Sequence, residues 1–216
     1  MRSNNTEVSL KFESRTYRLT GITPMLGCLP ASKSIYTDFI ASKAPNPDDD
    51  AEIIENLAER EERGVTVFAR NGQEQICVLA RHLKGFFKEA LGALKAQCDI
   101  GVYKSKVDTL LFVEPMFIAL KRNGAPILEE DEMFERRLRA ETPQGPRNAL
   151  QSSELVNDPW TLEFEITLLP NNSSAKKQNL SWGAIETALE YGKYHGIGQW
   201  RNADYGKFIW ERVDEE

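Results

Sequence analysis

Between Tyr191 and Trp210 the chain reads YGKYHGIGQWRNADYGKFIW, a stretch that gathers residue types suited to gripping a ligand both charged and flat. Lys193, His195, Arg201 and Lys207 supply positive charge or ring nitrogens; Tyr194, Trp200 and Tyr205 supply flat faces; Gly192, Gly196, Gly198 and Gly206 punctuate the run. Cationic side chains hold phosphate, aromatic rings stack on unpaired bases, and glycine lets a loop bring its backbone close to either. A glycine helix stop followed by a bulged turn explains the same spacing without a ligand, so the interleaving of cations with rings is what favours binding. His195, near Lys193 and Arg201, also has the chemistry to move protons around a 2′-hydroxyl, although a histidine satisfied at a helix end is its plainer role.

Two further groups of cations stand earlier in the chain. FERRLRAETPQGPRNALQ, Phe134 to Gln151, sets Arg136, Arg137, Arg139 and Arg147 around a Pro-Gln-Gly-Pro turn. The guanidinium fork fits phosphate, which makes this run a candidate backbone clamp; charge that protects an exposed edge strand gives the same pattern. Lys84 and Lys88, with Arg81 and Lys95, lie on the polar side of a helix expected over Ala80 to Ala96. Its other side repeats Leu83, Phe86, Phe87, Ala90, Leu91 and Leu94 at helical spacing.

The net charge of −6 argues against a polyanionic partner until its distribution is considered. Asp48 to Arg63 holds eight acidic and two basic residues, Glu129 to Glu135 five acidic ones and the tail Asp214 to Glu216 three, so the remaining chain is net positive. A basic face is therefore compatible with the composition, and so is a merely solvated surface. No apolar run approaches the ~18 residues of a membrane span and MRSNNTEVSLKF has no apolar signal core, so a cytoplasmic protein without a membrane partner is expected. The three cysteines and two histidines lack metal-ligand spacing, and Asp48-Asp49-Asp50 lacks the alternate spacing of a calcium loop. No P-loop, GxSxG or HExxH motif occurs, and Gly196-Ile197-Gly198 precedes a strand rather than a helix; no metal and no cofactor are expected.

The elements that must position these groups read in order as follows. One long strand or two short ones over Val8 to Thr20 end at Gly21, and Thr23 to Gly27 leaves the sheet as an extended turn. A short helix over Ile35 to Ala44 and an acidic helix from Asp48 to about Gly64 form an insertion. Val65 to Ala69 and Gln75 to Leu79 flank Asn71-Gly72 as a hairpin. After the Ala80 helix come strands at Thr109 to Val113 and Met116 to Leu120, interrupted by Pro115, then an acidic loop from Gly124 to Glu135. Leu162, Phe164, Ile166 and Leu168 alternate within a half-buried strand Trp160 to Leu169. Pro170 to Asn179 is a polar loop, Ser181 caps a helix with Ile185, Ala188 and Leu189 inward, and Lys207 to Val213 is the closing strand. This order predicts an α+β protein, best fitted by a ferredoxin-like (RRM-like) core, formed as one domain with the acidic insertions and a C-terminal glycine-rich loop.

Five segments in this order resemble a known family: LTGITPMLG from Leu19, LARHLKGFFKEAL from Leu79, KSKVDTLLFVEP from Lys104, RAETPQGPRNALQSSELVNDPWTLEFEITLL from Arg139 and GIGQWRNADYGKF from Gly196. Together they are similar to the repeat-associated mysterious proteins (RAMPs) of CRISPR effector complexes, most of all to the backbone subunits. A stand-alone member from a phage or mobile element is the variant form of that reading. Leu79 to His82 stands where the family usually has a proline-glycine-serine stretch, and the acidic helix has no counterpart there. The resemblance implies an antiviral-defence role, a partnership with RNA or single-stranded nucleic acid, and self-association or association with other RAMP-like subunits. It also implies an aspartate after the first strand in target-cleaving members, a region that here contains Asp38. The expected function is non-catalytic nucleic-acid binding by Lys84, Lys88, Arg136, Arg137, Arg139, Arg147, Lys193, His195, Gly196, Gly198, Trp200, Arg201 and Lys207. An endoribonuclease using His195 or Asp38, and a phage structural or protein-interaction component, are the alternatives.

Overall fold

The computed structural model describes residues 12–31, 65–98, 101–142, 145–169 and 180–213, with the backbone course alone for 138–142 and 145–149. The expected helices at Ile35 to Ala44 and Asp48 to Gly64, the polar loop after Pro170 and the acidic tail lie outside the described residues, as does Asp38. In chain order come β1 (Glu13–Gly21), β2 (Met25–Leu26), β3 (Leu29–Pro30), β4 (Val65–Val67), β5 (Ala69–Arg70) and β6 (Ile76–Leu79). Helices α1 (Ala80–Ala93), α2 (Lys95–Cys98) and α3 (Tyr103–Leu110) follow. Then come β7 (Leu111–Glu114), β8 (Phe117–Ala119), β9 (Lys121–Arg122), β10 (Ala125–Pro126), β11 (Glu132–Thr142), β12 (Gly145–Val156) and β13 (Thr161–Leu168). Helix α4 (Trp182–His195), a 3-10 turn at Arg201–Ala203 and β14 (Phe208–Arg212) complete the mixed α+β architecture.

The first strand organises the main sheet. β1 lies between β13 and β14, antiparallel to both, with Tyr17 opposite Phe164 and Arg212; β7 pairs with the far side of β13. Alternation decides which face is dry. Tyr17, Leu19, Leu162, Phe164, Ile166, Leu168 and Phe208 point into the core, where they meet Leu83, Phe86, Phe87, Ala90 and Leu91 of α1 and Ile185, Ala188 and Leu189 of α4. Those of α1, β13 and α4 are the apolar positions expected from periodicity, and burying each large one contributes about 1.5–3 kcal/mol. Gly21 closes β1 as expected: its N–H donates to the Trp160 carbonyl at 2.7 Å, and a Cβ there would overlap the Trp160 indole.

The opposite face of this sheet is wet and acidic. Arg18 pairs with Glu163 at 3.1 Å and Glu211 at 2.8 Å, while Glu114 and Glu165 stand directly opposite each other on β7 and β13. Phe112 and Ile209 are its exposed apolar residues.

A second sheet runs in the order β11-β12-β4-β3, with β2 also on β12, so Met25-Leu26 leaves the first sheet only to join the second. Buried Glu154 ties it down, accepting from Phe68 N at 2.7 Å and from Arg70 Nη1 at 3.0 Å. The Arg136–Arg147 segment is a long antiparallel hairpin here, Thr142 facing Gly145 across the turn.

Three local readings need correction. The hairpin around Asn71 pairs only Ala69–Arg70 with β6, while β4 pairs with β12 and β3. Its turn is built by the Asn71 carboxamide, whose Oδ1 accepts from Gln73 N and Gln75 N, and the left-handed residue is Glu74 rather than Gly72. The Asn-Gly pair with two left-handed residues is Asn123-Gly124 (φ 52° and 80°), which joins β9 to β10 at the start of the stretch expected to be an acidic loop. Thr109 belongs to α3, a helix with one buried residue, Val107, too few to print a periodicity.

Candidate nucleic-acid interface

The loop after α4 takes its shape from residues that other backbones could not replace. Ser181 Oγ accepts from Ala184 N to start α4, and Gly196 (φ 65°) ends it, its N–H donating to the Gly192 carbonyl at 3.0 Å. Ile197 then turns into the core, and its N–H donates to the Gly206 carbonyl at 2.9 Å. Gly206 (φ 73°) donates in turn to the Pro24 carbonyl at 2.7 Å, and a Cβ on it would overlap the Ile197 carbonyl. Lys207 N donates to Thr23 Oγ1 at 2.9 Å. The loop is thus sewn to the Thr23–Met25 passage between the two sheets, and it presents a different set of side chains to each.

Toward α1 the loop closes one wall of a cleft of about 410 Å³, lined by Cys28, Arg81, His82, Glu89, Gly198 and Arg201 among others. Glu89 is the hub: its Oε1 lies 2.6 Å from His195 Nε2, and its Oε2 accepts from Arg201 Nη1. Burial pushes the Glu89 carboxyl up, but the His195 hydrogen bond and the Arg201 charge outweigh it and hold the group below its ordinary range. Cys28 Sγ is 3.4 Å from His82 Nδ1. Burial pushes this thiol up to about 11 against the pull of Arg81 and Arg201, and pushes His82 down to about 4 with the help of Arg81. The pair is therefore a neutral thiol beside a neutral imidazole, the reverse of the thiolate–imidazolium state that a cysteine nucleophile needs. Arg81 is exposed and has no acidic partner among the described residues. It stands in the first turn of α1, whose N-cap, Leu79, offers no side-chain acceptor, while the Ala80 N–H donates to the Met116 carbonyl at 3.0 Å.

Toward the second sheet the loop lays down aromatic rings. Trp200 and Tyr205 stack with centroids 5.4 Å apart at 15°, and both touch Phe134 of β11, at 5.8 and 5.5 Å. The Arg136 guanidinium lies 4.5 Å from the Trp200 ring centroid. Gln199 joins the same seam, its Oε1 accepting from Thr66 Oγ1 at 2.9 Å and Ser153 Oγ at 3.1 Å.

The expected site residues divide between these places. Gly198 and Arg201 line the cleft, His195 bonds to Glu89 of its wall and Gly196 ends α4 before the loop; Trp200 and Arg136 belong to the seam. Arg137 and Lys193 are exposed, one on β11 and the other on α4. Arg139 stands opposite Asn148 and Arg147 opposite Ala140 in the hairpin ladder. Lys84 and Lys88 turn toward α3 instead, Lys88 pairing with Asp108 at 2.5 Å and Lys84 Nζ donating to the Asp108 carbonyl at 3.4 Å. Lys207 pairs with Asp204 at 2.6 Å. Cys28, His82 and Glu89 were not marked by spacing, because Cys28 lies 54 positions before His82 in the chain and Glu89 of the same helix meets His195 and Arg201 only in the fold. Arg81 carried a usable signal, a cation in the first turn of an uncapped helix.

Among the described residues no group of three or more His, Cys, Asp or Glu side chains is placed to hold a metal ion, and no helix is long and apolar enough to cross a membrane. No family model and no curated protein matches the chain. Among solved structures, the cryo-EM structure of the Type III-B Cmr-beta bound to cognate target RNA is similar over 94% of this chain at 9% identity, with a TM-score of 0.46. The match covers 60% of that chain, so this protein spans less than two thirds of its length.

Proposed function

We propose that this chain binds single-stranded nucleic acid, RNA in the first place, without cleaving it, through the cleft and the aromatic side of the C-terminal loop. The observation that carries the reading is convergence: Arg81 and Arg201 line one cleft, and the same loop offers the stacked Trp200–Tyr205 pair next to it. Phosphates would lie in the cleft and bases against the rings. The acidic open face of the main sheet, with Glu114, Glu163, Glu165 and Glu211, repels a polyanion and leaves the loop side as the place of contact.

A ferredoxin-like core, as the RAMP resemblance implies, is supported by the sheet order β14-β1-β13-β7, in which α1 links β1 toward β7 and α4 links β13 to β14. Stacking of copies along a bound strand belongs to the same reading, and light scattering with and without RNA tests it.

Salt-titrated binding of a ~20-nucleotide oligouridylate tests the proposal. Affinity falls steeply with salt, and Arg81→Gln with Arg201→Gln lowers the log–log slope by about 0.7 for each phosphate that is no longer neutralised. No binding at low salt, or an unchanged slope in the double variant, contradicts it.

A further inference from the structure

Arg136 is only 8% exposed, yet its charge is barely answered. Nη2 donates to Gln151 Oε1 at 3.0 Å, whereas Nε and Nη1 are buried with no hydrogen-bond partner among the described residues. Burial pushes the guanidinium below its ordinary range, as expected of a cation removed from water without an acceptor. Leaving such donors unpaired is costly, and proteins rarely keep the arrangement unless something else completes it. What covers Arg136 is Trp200, 37% exposed and held at φ 57°, a backbone region that bulky residues seldom occupy. Phe134, two residues before Arg136 on β11, packs on Trp200 at 5.8 Å, and Tyr205 is stacked on Trp200. A carboxylate close enough to neutralise Arg136 would be seen as an ion pair, and none is present among the described residues; the nearby polar groups, Gln151, Ser153, Thr66 and Gln199, are all neutral.

We infer that Trp200 is a displaceable cover and that Arg136 beneath it anchors a second, separate subsite for a phosphate group, which supplies the acceptors that the guanidinium lacks. In the context of the proposed function this subsite takes one phosphate of a strand whose bases stack on the displaced Trp200 and on Tyr205. It rests on that reading only for the source of the phosphate. Arginine is suited to the task because Nε and Nη1 keep unpaired N–H groups, and with Nη2 given to Gln151 one of its two edges stays open to fork onto tetrahedral oxygens.

The test uses the full chain, two probes and two variants. Inorganic phosphate is titrated while thermal unfolding and tryptophan fluorescence are followed; an oligouridylate is titrated in parallel. In the wild type, phosphate raises Tm and changes the fluorescence, and Trp200→Phe removes the fluorescence change. Arg136→Met abolishes the phosphate-induced fluorescence change, leaves a smaller phosphate-induced rise in Tm than the wild type shows, and weakens oligouridylate binding about tenfold, the size expected for one charge-assisted contact. Without ligand the same variant melts no lower than the wild type, since an unpaired buried charge has been removed. A wild type that phosphate does not stabilise, or an Arg136→Met variant stabilised as well as the wild type, overturns the subsite. A wild type that responds to phosphate through Arg136 but ignores oligouridylate keeps the subsite and removes the nucleic-acid reading. Arg81→Gln with Arg201→Gln leaves the phosphate response at Arg136 in place, which separates the two sites.

Discussion

The C-terminal loop faces two ways, and its two sides have been finished differently. On the cleft side each buried or half-buried charge has an answer: Glu89 holds both His195 and Arg201, and Cys28 and His82 settle each other as a neutral pair. On the seam side Arg136 is buried deeper and answered by one amide oxygen and one aromatic ring. The difference teaches that burial alone does not mark a structural role. A satisfied group sets the shape of the site, and an unsatisfied one indicates where something else is to come.

The largest effect is expected where both sides depend on one residue. Gly206→Ala places a methyl against the Ile197 carbonyl at a left-handed backbone position. It should cost roughly 3 kcal/mol or more and loosen both sides together, read as a lower urea midpoint and loss of the Trp200–Tyr205 near-ultraviolet circular dichroism. Loss on one side alone would break the idea of a single loop serving two surfaces.

Glu89→Gln sharpens the comparison by making the cleft resemble the seam. Because these ion pairs are partly exposed and screened, the stability loss should be about 1 kcal/mol, while oligouridylate affinity rises as Arg201 is released. A fall in both quantities would mean that Glu89 positions the cations rather than restrains them.

Acid should undo the cleft before the seam. His82 titrates near 4 when folded and at its ordinary 6.5 when unfolded, so the unfolded chain takes up that proton first. Stability is complete above about pH 6.5 and falls toward pH 4; His82→Gln flattens this slope in Tm measured against pH. The lowered Glu89 adds a second loss at lower pH, as the pH drops below its ordinary value of 4.5 through its folded value. The smallest effect concerns Cys28: a thiol raised to about 11 should react with iodoacetamide far more slowly at pH 8 than a free cysteine does. Rapid alkylation in the folded protein would show an activated pair instead.

How much of this the sequence discloses depends on the range of the interactions. The α1 and β13 faces were legible because Leu83, Phe87 and Leu91, or Leu162, Phe164 and Ile166, carry their own periodicity. Ser181 and the glycines of the loop were legible because caps and left-handed turns are local. The Asn71 turn was misjudged because Asn-Gly is ambiguous on its own: at Asn123 the strands on both sides fit a two-residue turn, and at Asn71 the carboxamide bonds dictate a longer one. The charged residues were identified as types, but their roles were set by partners far away in sequence. Lys88 meets Asp108, His195 and Arg201 meet Glu89, and Arg136 meets a tryptophan 64 positions further along the chain. No pattern within an arginine-rich run says which one will be covered.

The central claim is that a strand lies along the loop and not on the open sheet, and photo-cross-linking with an oligouridylate carrying 4-thiouridine tests it most directly. The account predicts adducts on peptides containing Trp200, Tyr205 or the first turn of α1, abolished at high salt. Adducts confined to peptides of β7, β13 and β14 that carry Phe112, Glu165 or Ile209 would contradict it.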